Sequence, residues 1–405
     1  MTRPVPPCPS FGVVSTLQLA GRFRDSTFPD EEKMPQLFEP TAINGMVLKN
    51  RFIRSATYEA MAGSDGTVRE QLLEYMAELT RGQVGLIISG HAYVNRAGQA
   101  GPRQLGIHSE AMVQGLKRFT SVIHDHGGVV AVQLAHAGKR GIGTGEHGAV
   151  GPSDVIEEGV KTASAMDTDT IRKTIIAFGE AAQRAVAAGF DAIQIHAAHG
   201  YMLSQFLSPS FNTREDAYGG SLENRARLLL EVYQEIRHRV GEHFPLLVKI
   251  NAEDFLEGGL TVAEMVQVSR MLADGGLDAI EMSGGTFESG RSTPSRVGTA
   301  KSAEREVYYR TAAAAFRQEV KIPLILVGGF LSYPSAEEVV QSRLADYVAL
   351  SRPLIREPQL VQRWRDGQRS KASCISCNRC FATLATKEGL HCAAEKKLQE
   401  SKNPA

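Results

Sequence analysis

Short apolar runs alternate along most of the chain with longer segments of helical periodicity, beginning near residue 50. The runs are apolar at successive positions, which is typical of strands buried on both faces of a parallel sheet. The predicted strands are Phe52–Ala56, Val84–Ser89, Val129–Leu134, Ala192–His196, Leu246–Ile250, Ala279–Ser283, Leu324–Val327 and Tyr347–Leu350. The predicted helices are Arg69–Arg81, Glu110–His126, Thr168–Ala188, Ser221–Val240, Thr261–Asp274, Glu304–Glu319, Ser335–Ser342 and Glu357–Gly367.

The junctions between these elements also repeat. The segments AAGFDAIQIH (187–196) and DGGLDAIEMS (274–283) share one design, and RGQVGLIIS (81–89) is a looser copy. In each of the first two, a helix ends at glycine, where a left-handed cap costs little, and an aspartate precedes a buried strand. The repetition indicates that one strand–helix unit is used many times.

The number of units predicts a fold of the α/β class, the closed (β/α)8 TIM barrel. The rival is an open doubly wound sheet, which would carry G-x-G-x-x-G after its first strand. Here RFIRSATYEA occupies that place, which counts against the open sheet. Before the barrel, Asn44-Gly45 between apolar runs predicts a hairpin, which we expect to plug the barrel floor.

The composition and the two ends of the chain predict its domains and its location in the cell. Lys+Arg and Asp+Glu are both 45, so the charge balance indicates neither nucleic acid nor a membrane surface as partner. No apolar run is long enough to span a bilayer. Residues 1–33 lack the apolar core of a secretory signal, so we expect a cytoplasmic protein. The expected parts are a disordered extension (1–33), which could also precede a true start at Met34, a barrel (34–370) and a Cys-rich segment (371–405).

Polar residues cluster at the predicted carboxyl ends of the strands, where TIM barrels place their chemistry. Gly328-Gly329 and Ser351-Arg352 follow strands 7 and 8, the usual position of a phosphate site. Glycines let backbone N–H groups approach a phosphate, and arginine supplies a forked cation. The alternative is a tight turn beside a surface arginine.

The motif HAAHGY ends strand 4 and contains His196, His199 and Tyr201. Two histidines at this spacing could bind a metal ion or donate two hydrogen bonds to one oxygen atom. The phenol of Tyr201 could supply a proton. The structural alternative is a pair of loop histidines bonded to backbone.

The surrounding sequence resembles the old yellow enzyme family of flavin oxidoreductases. The resemblance is carried by QIHAAHGYMLSQFLSPSFNTREDAYGGSLENRARL (194–228) and by LKNRFIRSATYE, GQVGLIIS, QLAHAGK, LVKIN, LVGG and LSRPLIREP in the family's order. It covers roughly Leu37 to Arg365 and implies a TIM barrel that binds FMN. NADH or NADPH would be the co-substrate, and a small molecule the substrate.

The family pattern assigns FMN contacts residue by residue. The matching positions are Ser55, Ala56, Thr57, Gly90, Gln133, Lys249, Gly328, Gly329, Ser351 and Arg352. Gln133 resembles the amide at the flavin pyrimidine edge, and Lys249 the cation near N1 and O2. Two positions depart from the family: Tyr58 stands where relatives often have Cys or Thr, and His91 is bulky for its place.

The resemblance also implies catalytic roles. His196 and His199 match the pair that holds the substrate's carbonyl or nitro oxygen, which makes the β-carbon electrophilic toward hydride from flavin N5. Tyr201 matches the proton donor to the α-carbon. The expected activity is that of an ene-reductase.

Four of the five cysteines lie in the last 32 residues, spaced Cys374-x2-Cys377-x2-Cys380-x11-Cys392. They resemble the iron–sulfur ligands of the 2,4-dienoyl-CoA reductase branch, where the second gap is one residue longer. Four thiolates could hold a [4Fe–4S] cluster or zinc, or the cysteines could be reduced and unliganded. Because the chain ends at Ala405 without that branch's nucleotide domain, a cluster would imply a redox partner protein. We also expect a homo-oligomer.

Two other functions remain open at this point. A metal-dependent barrel hydrolase would use His136, His196 and His199 as ligands, although strand 1 lacks a His-x-His motif and Lys249 would repel a cation. A non-catalytic flavin carrier would need none of the catalytic set.

Overall fold

Thirteen strands and twelve α-helices are assigned in the computed structural model, which describes residues 34–142 and 148–402. The expected extension (1–33) therefore lies outside the described residues. The strands are β1 (Thr41–Ile43), β2 (Met46–Leu48), β3 (Phe52–Arg54), β4 (Leu86–Tyr93), β5 (Val130–Ala135), β6 (Val150–Gly151), β7 (Val155–Glu157), β8 (Val160–Ala165), β9 (Ala192–Ala197), β10 (Leu246–Asn251), β11 (Ala279–Ser283), β12 (Leu324–Val327) and β13 (Tyr347–Leu350).

The helices cover the outside of the barrel and continue into the C-terminal segment. They are α1 (Glu70–Arg81), α2 (Val113–Asp125), α3 (Thr168–Ala187), α4 (Met202–Leu207), α5 (Leu222–Val240), α6 (Val262–Asp274), α7 (Arg310–Glu319), α8 (Tyr333–Gln341), α9 (Arg352–Arg356), α10 (Leu360–Arg365), α11 (Cys380–Thr383) and α12 (Ala393–Lys402). Short 3-10 turns occur at Arg96–Gly98, Glu110–Met112, Gly138–Arg140, Gly290–Ser292, Thr299–Lys301 and Ala303–Arg305.

Eight parallel strands close into a barrel in the order β3-β4-β5-β9-β10-β11-β12-β13, and β13 pairs with β3. The predicted TIM barrel is therefore confirmed. Between β5 and α3 the chain forms a separate three-stranded sheet, β6-β8-β7, which the sequence pattern did not predict. No helix among the described residues is both long and apolar enough to cross a membrane.

The predicted helix Glu304–Glu319 is wrong at its start. Only a 3-10 turn forms at Ala303–Arg305, and α7 begins at Arg310. Val307 between them has φ +52°, a left-handed conformation that a β-branched residue rarely adopts and that interrupts a helix. Strand β4 is longer than predicted. It continues past Ser89 to Tyr93, and its pairing with β5 is irregular between Ile88 and His91.

The repeated aspartate joins neighbouring units at the barrel floor. Asp191, Asp278 and Asp346 each accept a hydrogen bond from the first residue of an adjacent strand, Val130, Leu246 and Leu324 respectively. Each also pairs with a basic side chain from a neighbouring helix. Each of these aspartates therefore satisfies a strand N–H that would otherwise lack a partner.

Two apolar cores hold the barrel together. The larger core lies between strands and helices, and the smaller one fills the inside of the barrel. Ile43, Met46 and Leu48 of the β1–β2 hairpin belong to the smaller core, so the predicted floor plug is confirmed. Asn44 and Gly45 at the turn both have positive φ, as a tight hairpin turn requires.

Candidate active site

A cavity of about 400 Å3 opens at the carboxyl ends of the barrel strands. This volume lies within the usual range for a small-molecule or cofactor site. Its wall contains Ala56, Thr57, Gln133, His196, His199, Tyr201, Lys249, Ser351 and Arg352, all singled out in the sequence. The barrel thus brings together residues that are separated by up to 296 positions.

Beneath the cavity, the Lys249 ammonium is fixed by a buried network. It donates to Glu281 Oε1 (2.9 Å) and to Ser55 Oγ (2.8 Å), and Ser55 Oγ donates to the same carboxylate oxygen. Lys249 and Glu281 face each other in register on β10 and β11 and are 2% and 0% exposed. Burial of this pair is tolerable because each charge is hydrogen-bonded as well as paired. One ammonium hydrogen is left for the cavity, which Lys249 lines.

The same network decides which way the Gln133 amide points. Glu281 Oε2 can only accept, so Gln194 donates to it through Nε2 (2.8 Å) and offers its Oε1 to Gln133 Nε2 (2.7 Å). Gln133 therefore keeps its Oε1 as an acceptor for a ligand. An acceptor next to a cation suits a ring edge that carries both N–H and C=O groups.

The histidine pair stands at the end of β9. His196 Nδ1 is buried and has no hydrogen-bond partner among the described residues, so it is available to bind a ligand atom. His199 adopts φ +65°, and this strained conformation is held by the adjoining strands. Asn251 Oδ1 accepts its backbone N–H (3.0 Å), and Ser283 Oγ lies 2.7 Å from its Nε2. The two rings are 5.2 Å apart between centroids.

Both imidazoles are electrically neutral at physiological pH. Burial lowers the pKa of His196 well below its ordinary value, with further lowering by His199, His91 and Lys249. Burial followed by the charge of Lys249 lowers the pKa of His199 in the same way. Tyr201 keeps its proton, because burial raises the pKa of its phenol to about 12.

A smaller cavity of about 50 Å3 adjoins the first and contains the predicted phosphate residues Gly328, Gly329, Ser351 and Arg352. Gly329 has φ +83°, and a Cβ there would lie 2.8 Å from Thr299 Cγ2. Arg352 is held by donating to the carbonyl of Arg296 (2.8 Å) and to Asn378 Oδ1 (2.7 Å). The arrangement has the size and the donors that a phosphate needs.

Two predicted contact residues line neither cavity. Ser55 lies beneath the larger one, in the network with Lys249. The Gly90 N–H donates to Glu59 Oε1 (3.1 Å), and a Cβ at Gly90 would collide with that carboxylate. His91 occupies the wall instead.

The C-terminal segment is part of the site, which sequence reasoning missed. Cys380, Phe381, Leu384 and Leu390 line the larger cavity. Arg103 anchors this segment by donating to the carbonyls of Leu384, Thr386 and Lys387. The only local signal was the density of cysteines, which does not indicate where the segment lies.

The four cysteines of this segment are free and partly buried. Burial, opposed by the charge of Arg352 and helped by the other three thiols, raises the pKa of the Cys380 thiol to about 11. Among the described residues, no group of three or more His, Cys, Asp or Glu side chains is arranged to hold a metal ion. Metal binding by the tail is therefore still a prediction. The alternative hydrolase set is not assembled either, since His136 does not line the cavity.

Comparisons with known proteins identify the family of this chain. Residues 36–371 match the model of the NADH:flavin oxidoreductase / NADH oxidase family. An NADPH dehydrogenase of Halalkalibacterium halodurans is 37% identical over 80% of this chain and 92% of its own length. An NADH oxidase of Thermoanaerobacter brockii is 33% identical over 85% of this chain, which spans about half (53%) of that protein.

Solved structures give the same result. A 2-naphthoyl-CoA reductase complex superposes with a TM-score of 0.82 at 26% identity, over 91% of this chain and 58% of that one. An old yellow enzyme homologue from Zymomonas mobilis has a TM-score of 0.72 at 25% identity, over 89% of this chain and 98% of that one.

An eight-stranded barrel with a cation, a neutral histidine pair and a phosphate-sized cradle at its open end defines the class of flavin-dependent TIM-barrel oxidoreductases. Within that class, the chain belongs to the NADH:flavin oxidoreductase / NADH oxidase family, which includes the old yellow enzymes. It is an NAD(P)H:flavin oxidoreductase whose cofactor is FMN.

Proposed function

We propose that the protein is an ene-reductase, which reduces activated carbon–carbon double bonds such as those of α,β-unsaturated carbonyl compounds. The observation that carries the proposal is the neutral pair His196 and His199 beside the phenol of Tyr201, all in one cavity. Fixed neutral donors suit the binding of an oxygen on which negative charge develops.

The residues present fit FMN. The smaller cavity with Gly328, Gly329 and Arg352 would hold the phosphate, while Gln133 and Lys249 would face the pyrimidine edge of the ring. The chemistry that bound FMN would supply is hydride transfer from NAD(P)H to the β-carbon of the substrate. Lys249 would balance negative charge at the N1 and O2 edge, and the Glu281 carboxylate keeps it in place.

His196 and His199 would donate hydrogen bonds to the substrate's carbonyl oxygen. Drawing charge onto that oxygen lowers the electron density at the β-carbon. Because the oxygen becomes more negative in the transition state, the two histidines bind it more tightly there than in the ground state. Neutral imidazoles serve this purpose without an unpaired buried charge beside Lys249.

Tyr201 would complete the reaction by giving its proton to the α-carbon. Among the described residues its hydroxyl has no hydrogen-bond partner, and the residue lines the cavity. A phenol with a pKa of about 12 stays protonated until a carbanion-like carbon accepts the proton.

The test is the His196→Ala/His199→Ala double variant, assayed for FMN content and for NADPH-dependent reduction of cyclohexenone. We expect FMN binding and flavin reduction to persist, while kcat/KM for the enone falls by at least about a thousandfold, since each oxyanion donor contributes 10²–10³ in rate. His126→Ala, on the exposed end of α2, is the matched control. Undiminished enone turnover in the double variant would contradict the proposal.

From the resemblance alone, we also propose that Cys374, Cys377, Cys380 and Cys392 bind zinc or an iron–sulfur cluster. A redox partner protein and a homo-oligomeric state stay predictions of the sequence.

A further inference from the structure

His91 lies in the cavity wall because strand β4 is irregular. The register between β4 and β5 shifts between Ile88 and His91, and such a bulge re-aims the side chains that follow it. The His91 ring stands 5.3 Å from the Tyr201 ring and 6.2 Å from the His196 ring. It is therefore a third imidazole in the wall of the cavity that also contains His196, His199 and Tyr201.

Hydrogen bonds fix the tautomer of this imidazole. The backbone N–H of Ala100 can only donate, so Gln104 must accept it through Oε1 (2.7 Å). The Gln104 Nε2 group is then the donor, and it donates to the carbonyl oxygen and to Nδ1 of His91. His91 Nδ1 is an acceptor and carries no proton, so the proton of the neutral ring resides on Nε2.

The protonated nitrogen is the one left for a ligand, because His91 lines the cavity and Gln104 does not. Gln104, which holds Nδ1, is buried outside the cavity wall, and Nε2 lies on the opposite side of the ring. No described residue is hydrogen-bonded to Nε2. Burial also lowers the pKa of His91 to about 4, so the ring remains a neutral donor through the physiological range.

We infer that His91 is a specificity-determining residue that donates its Nε2–H to a second acceptor oxygen of the substrate. The inference rests on the proposed function, in which His196 and His199 hold the first oxygen. It names the substrate class as activated alkenes with an acceptor oxygen on each side of the double bond, such as cyclic ene-diones.

The spacing of the rings supports two separate oxygen positions. The centroid of the His196 ring lies 5.2 Å from that of His199 and 6.2 Å from that of His91. When one substrate oxygen accepts from His196 and His199, the Nε2–H of His91 has no acceptor unless the substrate carries a second oxygen. A buried donor without a partner costs free energy, so a substrate with one oxygen would bind less well.

Tyr58 does not compete for this role. Its ring packs against His91 at 5.4 Å, but its hydroxyl donates to the carbonyl of Pro102. Tyr58 thus supports the His91 ring, and Gln104 is the positioning residue that sets the tautomer.

The experiment compares kcat/KM for ketoisophorone, a cyclic ene-dione, with kcat/KM for cyclohexenone, its mono-ketone counterpart, in FMN-saturated full-length protein. His91→Phe keeps an aromatic ring of similar size and removes the donor. We expect the ene-dione to enone ratio to fall roughly tenfold, mainly through KM for the ene-dione. His108→Phe is the matched control, because His108 is stacked on Tyr93 and does not line the cavity.

Nitrogen NMR of histidine-labelled protein provides a second readout. The signal that disappears in His91→Phe should show a bare Nδ1 and a protonated Nε2 in the parent protein. A ratio unchanged by His91→Phe, or a protonated Nδ1, would overturn the inference and leave the ene-reductase proposal standing. Failure of the parent protein to reduce either substrate would overturn the proposed function, and the inference with it.

Discussion

At the scale of single residues, the polar groups of the cavity are oriented by one another. The Glu281 carboxylate can only accept hydrogen bonds, and the Ala100 N–H can only donate. The carboxylate determines the orientation of the Gln194 amide, which in turn orients the Gln133 amide. The Ala100 N–H determines the orientation of the Gln104 amide. A cavity built this way presents its donors and acceptors to a ligand before the ligand arrives, which is the electrostatic preorganisation that catalysis requires.

Burying neutral imidazoles makes folding stability depend on pH. Burial lowers the pKa of His136 from 6.5 to about 4, while its Nδ1 accepts the Gly138 N–H (3.0 Å). Between these two pH values the unfolded chain binds a proton that the folded protein does not. The free energy of unfolding therefore falls as the pH falls from 6.5 toward 4, by at most about 1.4 kcal/mol per pH unit for each such histidine.

We predict that His136→Asn makes this dependence shallower by about one proton, because an asparagine oxygen can accept the same N–H but does not titrate. Urea unfolding of FMN-saturated protein at several pH values in this window would measure the slope. His126→Asn, which removes an exposed histidine from the end of α2, is the comparison. Equal slopes for His136→Asn and the parent would show that His136 is protonated in the folded state.

At the scale of elements, the barrel floor is held by the aspartates that precede the strands. Asp278 Oδ2 accepts from the Leu246 N–H (2.8 Å) and from Arg237 Nη2 (2.7 Å), and both side chains of the ion pair are less than 15% exposed. One oxygen thus joins β10, the turn before β11 and helix α5.

Replacing Asp278 by Ala should lower the free energy of unfolding by about 2–4 kcal/mol, because it leaves a buried strand N–H without its acceptor and a largely buried guanidinium without its carboxylate partner. Asp278→Asn keeps an oxygen in place, so its free energy of unfolding should fall by less than half as much. Denaturant unfolding measures both. FMN affinity should not change, since the cavity is at the opposite end of the barrel, and equal losses for the two variants would contradict this account.

At the scale of the whole molecule, the C-terminal segment closes one side of the barrel mouth. The Leu390 N–H donates to the Glu59 carbonyl (2.9 Å), and Asn378 bridges Arg352 and the Ser295 carbonyl. A segment remote in sequence therefore contributes both to the cavity wall and to the support of Arg352.

If this segment binds a metal, Cys377→Ala should remove it. Elemental analysis of anaerobically purified protein should find iron or zinc in the parent and a loss of most of it in the variant, because one of four thiolate ligands is missing. Cys8→Ala, outside the cluster in the sequence, is the control. Equal metal content in Cys377→Ala and the parent, or none in either, would contradict metal binding by the four cysteines.

The sequence by itself determined the barrel and most of the cavity. Apolar runs and helical periods are local properties, so the eight strand–helix units could be counted without a structure. Closure of a parallel barrel then places all carboxyl strand ends on one rim. Gln133, His196, His199, Tyr201 and Lys249 could be assigned to a common cavity for that reason.

Only the tertiary structure decided the pairings within that cavity. Glu281 reaches Lys249 from the next strand, and Ser55 reaches Glu281 from 226 residues away. The bulge in β4 turned His91 rather than Gly90 toward the cavity. The C-terminal segment came to lie against the mouth. Each of these depends on contacts between distant residues or on a one-residue change of register, and neither leaves a periodic pattern in the sequence.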